Sequence, residues 1–127
     1  MRVAVLGAVF GGAGMGALLR HLLNERFGAL STTFHWGTLS ANLLGGYLIG
    51  LATGWFAQRP GLAPEWRLLA ITGFLGGLTT FSAFSLELAS DVNQGRAATA
   101  LALVGVHVGG CLVLTLIGLW SARFLPA

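Results

Sequence analysis

Residues 73–85, GFLGGLTTFSAFS, place three glycines and four hydroxyl side chains inside an otherwise apolar run. Adjacent Gly76 and Gly77, followed by Thr79 and Thr80, disfavour a continuous helix, because glycine adds backbone freedom and hydroxyls compete for backbone partners. The pattern therefore predicts a break near residues 76–80. Non-helical backbone at membrane depth is tolerated only where protein or a wet cavity encloses it, so this segment is expected to lie centrally.

Around this segment, the chain contains four runs that are almost free of charge, at residues 3–19, 36–57, 66–86 and 97–122. Each is close to the about 20 residues that cross about 30 Å of hydrocarbon. We predict an all-α membrane protein with a single channel domain over residues 1–127 and four transmembrane helices, the third broken. These helices cover approximately residues 3–24, 36–57, 65–90 and 97–124.

The composition excludes an ordinary soluble domain. Apolar residues make up 55% and charged residues 9% of the 127 residues, whereas soluble domains carry about 25% charge. The net charge of +3 comes from seven arginines and four acidic residues, and it does not indicate nucleic-acid binding. A single cysteine, Cys111, cannot form a disulfide within the chain. No nucleophile, base and orienting group can be assembled, so we expect no enzyme.

Arginine is almost evenly distributed between the two sides of the membrane. With four spans, one side carries Arg2, Arg59, Arg67 and Arg123, and the other carries Arg20, Arg26 and Arg96. By the positive-inside rule, the side with more Lys and Arg faces the cytoplasm, and a difference of one arginine hardly favours either orientation. We predict insertion in both orientations and pairing as an antiparallel homodimer. The alternative is that one arginine suffices to orient the chain.

Small residues form stripes on several predicted helices. Gly46, Gly50 and Gly54 recur every four residues, and Thr38 and Asn42 extend the same face. Such stripes let helix backbones approach closely in lipid. Most of these glycines are therefore expected to be structural, with tight bundling that extends beyond one chain.

The polar groups of the third span favour a small anion over a cation. Mid-span positions carry no Asp, Glu or Lys, which argues against a proton relay or an acid-lined cation path. Weak donors are available instead, namely the amide of Asn42 and the hydroxyls of Ser82 and Ser85. Phe81 and Phe84 share one helical face, and their positive ring edges can solvate an anion. The same pair also fits plain packing or contact with lipid.

Three segments together resemble the CrcB/Fluc family of fluoride channels. They are GAGMGALLR at residues 12–20, GTLSANLLGGYLIG at 37–50 and GFLGGLTTFSAFS at 73–85. They occur in the family's order on the first three helices. The resemblance implies a dual-topology antiparallel homodimer in the bacterial inner membrane. Two pores would export fluoride passively across the lipid bilayer and lower its cytoplasmic concentration.

Carried over by position, the resemblance assigns the pore residues. Asn42 is similar to the pore amide, and Phe81 and Phe84 are similar to the paired rings whose edges contact fluoride. Ser82 and Ser85 lie in the hydroxyl track.

The resemblance also implies residues outside the ring pair. The backbone carbonyls of Gly76 and Thr79 match those that hold a structural sodium ion at the dimer interface. Arg20 matches an arginine that attracts anions to the vestibule, although it also fits a lipid-facing anchor. His107 is a candidate vestibule residue or a packed histidine, and Thr38 joins the pore residues on the face of Asn42.

Two departures and two rival functions remain at this stage. Ala83 stands where many relatives have threonine, and Cys111 where some have serine. A small four-helix multidrug or cation exporter shares the chain length and weak topology bias, but it needs an intramembrane acid. A non-transporting assembly subunit would account for the glycine stripes but not for residues 76–85.

Overall fold

The computed structural model describes residues 2–31 and 34–127, and this part of the chain is helical with no β-strand. Helix α1 spans Val3–Gly28 and α2 spans Trp36–Ala57. Helix α3 consists of three consecutive segments, which are α-helical Pro64–Arg67, π-helical Leu68–Leu75 and α-helical Gly76–Leu78. Helix α4 spans Phe81–Asn93. Helix α5 consists of α-helical Ala97–Val104, π-helical Gly105–Gly109 and α-helical Gly110–Ser121. A 3-10 turn follows at Ala122–Phe124. The all-α prediction is confirmed for these residues.

Thr79 and Thr80 interrupt the helix between α3 and α4. Both backbones are extended, with φ −87° and ψ 153° at Thr79, and φ −149° and ψ 118° at Thr80. The break predicted over residues 76–80 is thus confined to its last two residues, because Gly76–Leu78 is α-helical. The glycines alone do not end the helix. Side-chain hydrogen bonds to Thr80 stabilise the extended conformation.

Helices α1 and α3 pack at a backbone separation that leaves no room for a side chain. A Cβ added at Gly73 would lie 2.9 Å from the carbonyl oxygen of Val9, and one at Gly77 would lie 2.3 Å from that of Ala13. The contacts advance together along the two helices, by four residues on each. Helices α1 and α3 therefore run parallel.

Helices α2 and α5 pack in the same manner. A Cβ at Gly50 would lie 2.1 Å from the carbonyl oxygen of Thr115, and one at Gly46 would lie 3.2 Å from that of Cys111. The Thr115 hydroxyl also donates to the Gly46 carbonyl at 2.9 Å. These two helices run parallel as well, and the glycine stripe of α2 is used inside one chain.

Within residues 2–31 and 34–127, three helical segments are long and apolar enough to cross a membrane, namely Val3–Gly28, Pro64–Asn93 and Ala97–Phe124. The protein is therefore a multi-pass membrane protein. Many large apolar side chains lie on its surface, among them Val3 and Phe10, which are 83% and 84% exposed. Helix α2 carries five glycines and Asn42, which lower its hydropathy. Hydropathy by itself thus gives three spans where the sequence pattern predicted four.

Candidate anion site at the helix break

The amide of Asn42 on α2 holds the backbone of the break. The Thr80 N–H donates to Asn42 Oδ1 at 2.8 Å, and Asn42 Nδ2 donates to the Thr80 carbonyl at 3.0 Å. A side-chain amide thus supplies one donor and one acceptor to a backbone that has left the helix. This pairing satisfies groups that lipid cannot.

Thr80 in turn begins helix α4. Its hydroxyl accepts the N–H of Ala83 at 3.1 Å, which is the N-cap arrangement. In an unbroken helix, the Thr80 N–H would bond the Gly76 carbonyl and the Ala83 N–H would bond the Thr79 carbonyl. Both N–H groups donate to side chains instead. The carbonyls of Gly76 and Thr79 are thereby released from the helical pattern.

Phe81 and Phe84 form an edge-to-face pair directly after the break. Their ring centroids are 5.7 Å apart with an interplanar angle of 70°. Their surroundings differ sharply, since Phe81 is 78% exposed whereas Phe84 is 4% exposed. The pair therefore joins the protein interior to an open surface.

His107 on α5 lies against Asn42 and Phe84. Its Nδ1 is 3.2 Å from Asn42 Nδ2, and its ring stacks on Phe84 with centroids 4.2 Å apart. The residue is 3% exposed and lies in the π-helical turn Gly105–Gly109. The structure thus places His107 beside the predicted pore residues. Arg20, the other candidate vestibule residue, lies on α1, and its Nε is buried without a hydrogen-bond partner among the described residues.

One cavity of about 440 Å³ connects most of these groups. Six of the predicted site residues line it, namely Asn42, Gly76, Thr79, Phe81, Phe84 and His107. Thr38, Ser82, Ser85 and Arg20 are not part of this lining. Over the described residues, the wall is mostly apolar, and its polar groups are the Asn42 amide, threonine hydroxyls, the Cys111 thiol and the His107 imidazole, with no charged side chain. Such a surface offers an ion several weak dipoles in place of a full counter-charge.

Comparison with known proteins identifies a matching family and several relatives of this chain. A family model described as CrcB-like protein, Camphor Resistance (CrcB), matches residues 7–119. A protein of Pseudomonas aeruginosa strain UCBPP-PA14 is 53% identical over 114 residues, 90% of each chain. One of Cupriavidus pinatubonensis is 55% identical over 114 residues, also 90% of each chain, and one of Ralstonia nicotianae is 52% identical over 118 residues, 93% of this chain and 94% of the other. All three relatives are named fluoride-specific ion channel FluC.

This chain belongs to the CrcB family. The resemblance found in residues 12–20, 37–50 and 73–85 is therefore confirmed. The family match covers most of the chain and includes α2, the break and α4. The relatives' names describe channels, a class of protein distinct from enzymes, and they do not favour the exporter alternative.

The hydroxyl residues predicted for the CrcB site occupy different surroundings. The buried Thr38 donates to Glu87 Oε1 at 2.6 Å, beside a second cavity of about 460 Å³. The hydroxyl of Ser82 is 3.2 Å from that of Thr80, and Ser82 and Ser85 are both exposed. In this single chain, the serines do not join the cavity that holds Asn42.

Two residues of this CrcB chain have roles that the sequence analysis did not assign. Thr80 caps α4 and is the backbone partner of Asn42. A threonine just before a helical run is an N-cap signal, so this role was readable. Glu87 accepts from Thr38, 49 residues earlier in the chain, and no local pattern indicates that pairing.

The two departures from the family pattern have simple surroundings. Ala83 uses its backbone N–H for the Thr80 cap, which requires no side chain. The Cys111 thiol donates to the Asn42 carbonyl at 3.4 Å, a bond that serine can also make.

Proposed function

We propose that the protein is a channel in the bacterial inner membrane that exports fluoride passively and lowers its cytoplasmic concentration. The observation that carries the proposal is the identity of 52–55% over at least 90% of the chain to proteins named fluoride-specific ion channels. The uncharged cavity at the helix break supports it.

Weak dipoles suit the conduction of a small anion. A pore must replace hydration well enough for the ion to enter and weakly enough for it to leave, which several modest contacts achieve better than one buried arginine. The ring edges of Phe81 and Phe84 carry partial positive charge. In this proposal, fluoride passes from the exposed edge of Phe81 toward the buried Phe84, with Asn42 close by. Thr38, Ser82 and Ser85 would contact the ion outside this cavity.

Four membrane spans are also proposed, and the helix directions support this count. Helices α1 and α3 run parallel, and both belong to membrane-spanning candidates. The chain between them must therefore return across the membrane, and α2 is the helix in that interval. Its 22 residues extend about 33 Å, enough for about 30 Å of hydrocarbon. We therefore propose α2 as the fourth span.

An antiparallel homodimer is the proposed assembly. The open side of the 440 Å³ cavity exposes Phe81 and Gly76 and leaves Thr79 half-buried, and a second copy would cover it. The balanced arginines permit both orientations. A cysteine placed at Gly61, in the loop after α2, tests this on a Cys111→Ser background. We expect an impermeant thiol reagent to label about half the molecules from outside intact cells, as equal insertion requires. Complete labelling, or none, contradicts dual topology.

A structural sodium ion at the dimer interface is also proposed. The residues fit such an ion, because the carbonyls of Gly76 and Thr79 no longer accept the N–H groups of Thr80 and Ala83. Carbonyl oxygens are suitable ligands for hard cations. The ion would hold the two copies together without being transported. Arg20 would attract anions to the vestibule.

Efflux from liposomes tests the function directly. Purified protein is reconstituted into vesicles loaded with potassium fluoride, efflux is started with a potassium ionophore, and fluoride is read with an electrode. Matched vesicles are loaded with potassium chloride. We expect rapid fluoride release without chloride release. Comparable release of both ions, or of neither, contradicts the proposed function.

A further inference from the structure

His107 carries a polar atom that has no hydrogen-bond partner in the part of the chain that the structure describes. The residue is 3% exposed, and its Nε2 is buried without a hydrogen-bond partner among the described residues. Buried polar groups are nearly always paired, so an unpaired one in a cavity wall needs an explanation. The other ring nitrogen, Nδ1, does have a neighbour, Asn42 Nδ2 at 3.2 Å.

The break determines which way the Asn42 amide faces. Its Oδ1 receives the N–H of Thr80, and its Nδ2 donates to the Thr80 carbonyl. The flipped amide would oppose N–H to N–H and oxygen to oxygen. The NH₂ group is therefore the one that faces His107.

This orientation determines the tautomer of His107. Asn42 Nδ2 is only a donor, so His107 Nδ1 must accept its second hydrogen. A neutral imidazole that accepts at Nδ1 carries its own hydrogen on Nε2. The assignment follows from the hydrogen-bond pattern, since hydrogens are inferred from such networks. The unpaired buried atom is consequently an N–H donor.

In this arrangement both hydrogens of the Asn42 amide already have partners. Its two hydrogens serve the Thr80 carbonyl and His107 Nδ1. His107 lines the 440 Å³ cavity together with Phe81 and Phe84. Stacking on Phe84 at 4.2 Å limits rotation of the imidazole. Ring orientation and tautomer are thus both set before an anion arrives.

We propose that the Nε2–H group of His107 binds the permeating anion, and that Asn42 is the positioning residue that sets this donor. The inference rests on the fluoride channel proposed above and assigns one donor of its pore. Fluoride is a compact, strong hydrogen-bond acceptor, and a hydrogen bond to a charged partner is about twice as strong as a neutral one. Nε2 exposes less than 1 Å², so neighbouring side chains must turn aside for the ion to reach it.

Methylation of Nε2 separates the donor from the rest of the ring. His107 is replaced by Nτ-methylhistidine through genetic-code expansion, which keeps the Nδ1 acceptor and the ring but removes the hydrogen. We expect fluoride efflux to fall about tenfold or more, as when a preorganised donor to an anion is removed. The same replacement at His21, whose side chain is 68% exposed on α1, serves as the matched control and should leave efflux unchanged.

Histidine labelled with ¹⁵N gives a second readout on the wild-type protein. The spectrum distinguishes a protonated from an unprotonated ring nitrogen. We expect the hydrogen on Nε2, and we expect this signal to shift with added fluoride and not with chloride. A hydrogen on Nδ1, an Nε2 signal that does not respond to fluoride, or wild-type efflux from the methylated protein overturns the proposal. In each case the channel function stands if the wild type releases fluoride selectively, so the two claims fail separately.

Discussion

The α1–α3 crossing and the break at Thr79 and Thr80 are neighbours along the chain but depend on different physics. At the crossing, backbone lies directly on backbone, and a Cβ at Gly16 would lie 2.0 Å from the Phe74 carbonyl oxygen. At the break, the amide of Asn42 pairs with both polar groups of Thr80. The crossing is therefore sensitive to added volume, and the break to lost hydrogen bonds.

The largest effect is expected at the crossing, from Gly16→Ala. The new methyl group cannot be accommodated unless the two backbones separate, and overpacking of this kind costs about 3 kcal/mol in the free energy of unfolding. Gly14→Ala on the same helix is the control, because nothing lies within 4 Å of its added Cβ. Thermal unfolding in detergent, with the yield of monodisperse protein, compares the two. Equal behaviour of both variants would mean that the crossing tolerates volume.

The break is tested by Asn42→Leu, which keeps a similar volume and removes the amide. Thr80 then has an unpaired N–H and an unpaired carbonyl, and unsatisfied buried groups cost about 1–3 kcal/mol each. We expect a loss of about 2 kcal/mol in the free energy of unfolding and a strong loss of fluoride efflux. Ser40→Ala is the control on α2, since its hydroxyl donates only to the nearby Gly37 carbonyl. A stable, fully active Asn42→Leu protein contradicts the role assigned to the amide.

The smallest effect on stability is expected from Phe81→Ile, just past the break. The side chain is 78% exposed in the single chain, so the free energy of unfolding should change by less than about 0.5 kcal/mol. Fluoride efflux should fall because the ion loses one ring edge; we expect a decrease of about tenfold, which corresponds to a barrier higher by about 1.4 kcal/mol. Phe10→Ile, an equally exposed phenylalanine on α1, should leave efflux at the wild-type rate. Equal efflux from both variants refutes the ring-edge role.

Sequence patterns located the break because glycines and hydroxyls cluster there, but they placed it over residues 76–80. Gly76–Leu78 remains helical, because glycine permits a break without requiring one. The partner of Thr80 lies 38 residues earlier in the chain, at Asn42. A contact at that separation leaves no trace in local periodicity.

His107 shows the same limit for the candidate site. From sequence it was one polar position on an apolar helix, a candidate for the vestibule but better explained by packing. The structure brings it to Asn42 and Phe84. The tautomer of His107 and its unpaired nitrogen can be inferred only from these contacts between α2, α4 and α5.

Composition and periodicity by themselves determined the membrane class, the all-helical fold and the glycine stripes. These follow from the length of apolar runs and from the 3.6-residue repeat, which are local properties of the chain. Tertiary structure decided which stripe meets which helix, where the break begins and which polar atoms satisfy it. Those features depend on contacts between residues distant in sequence, because a buried donor or carbonyl is satisfied by whichever group the packed helices bring within reach.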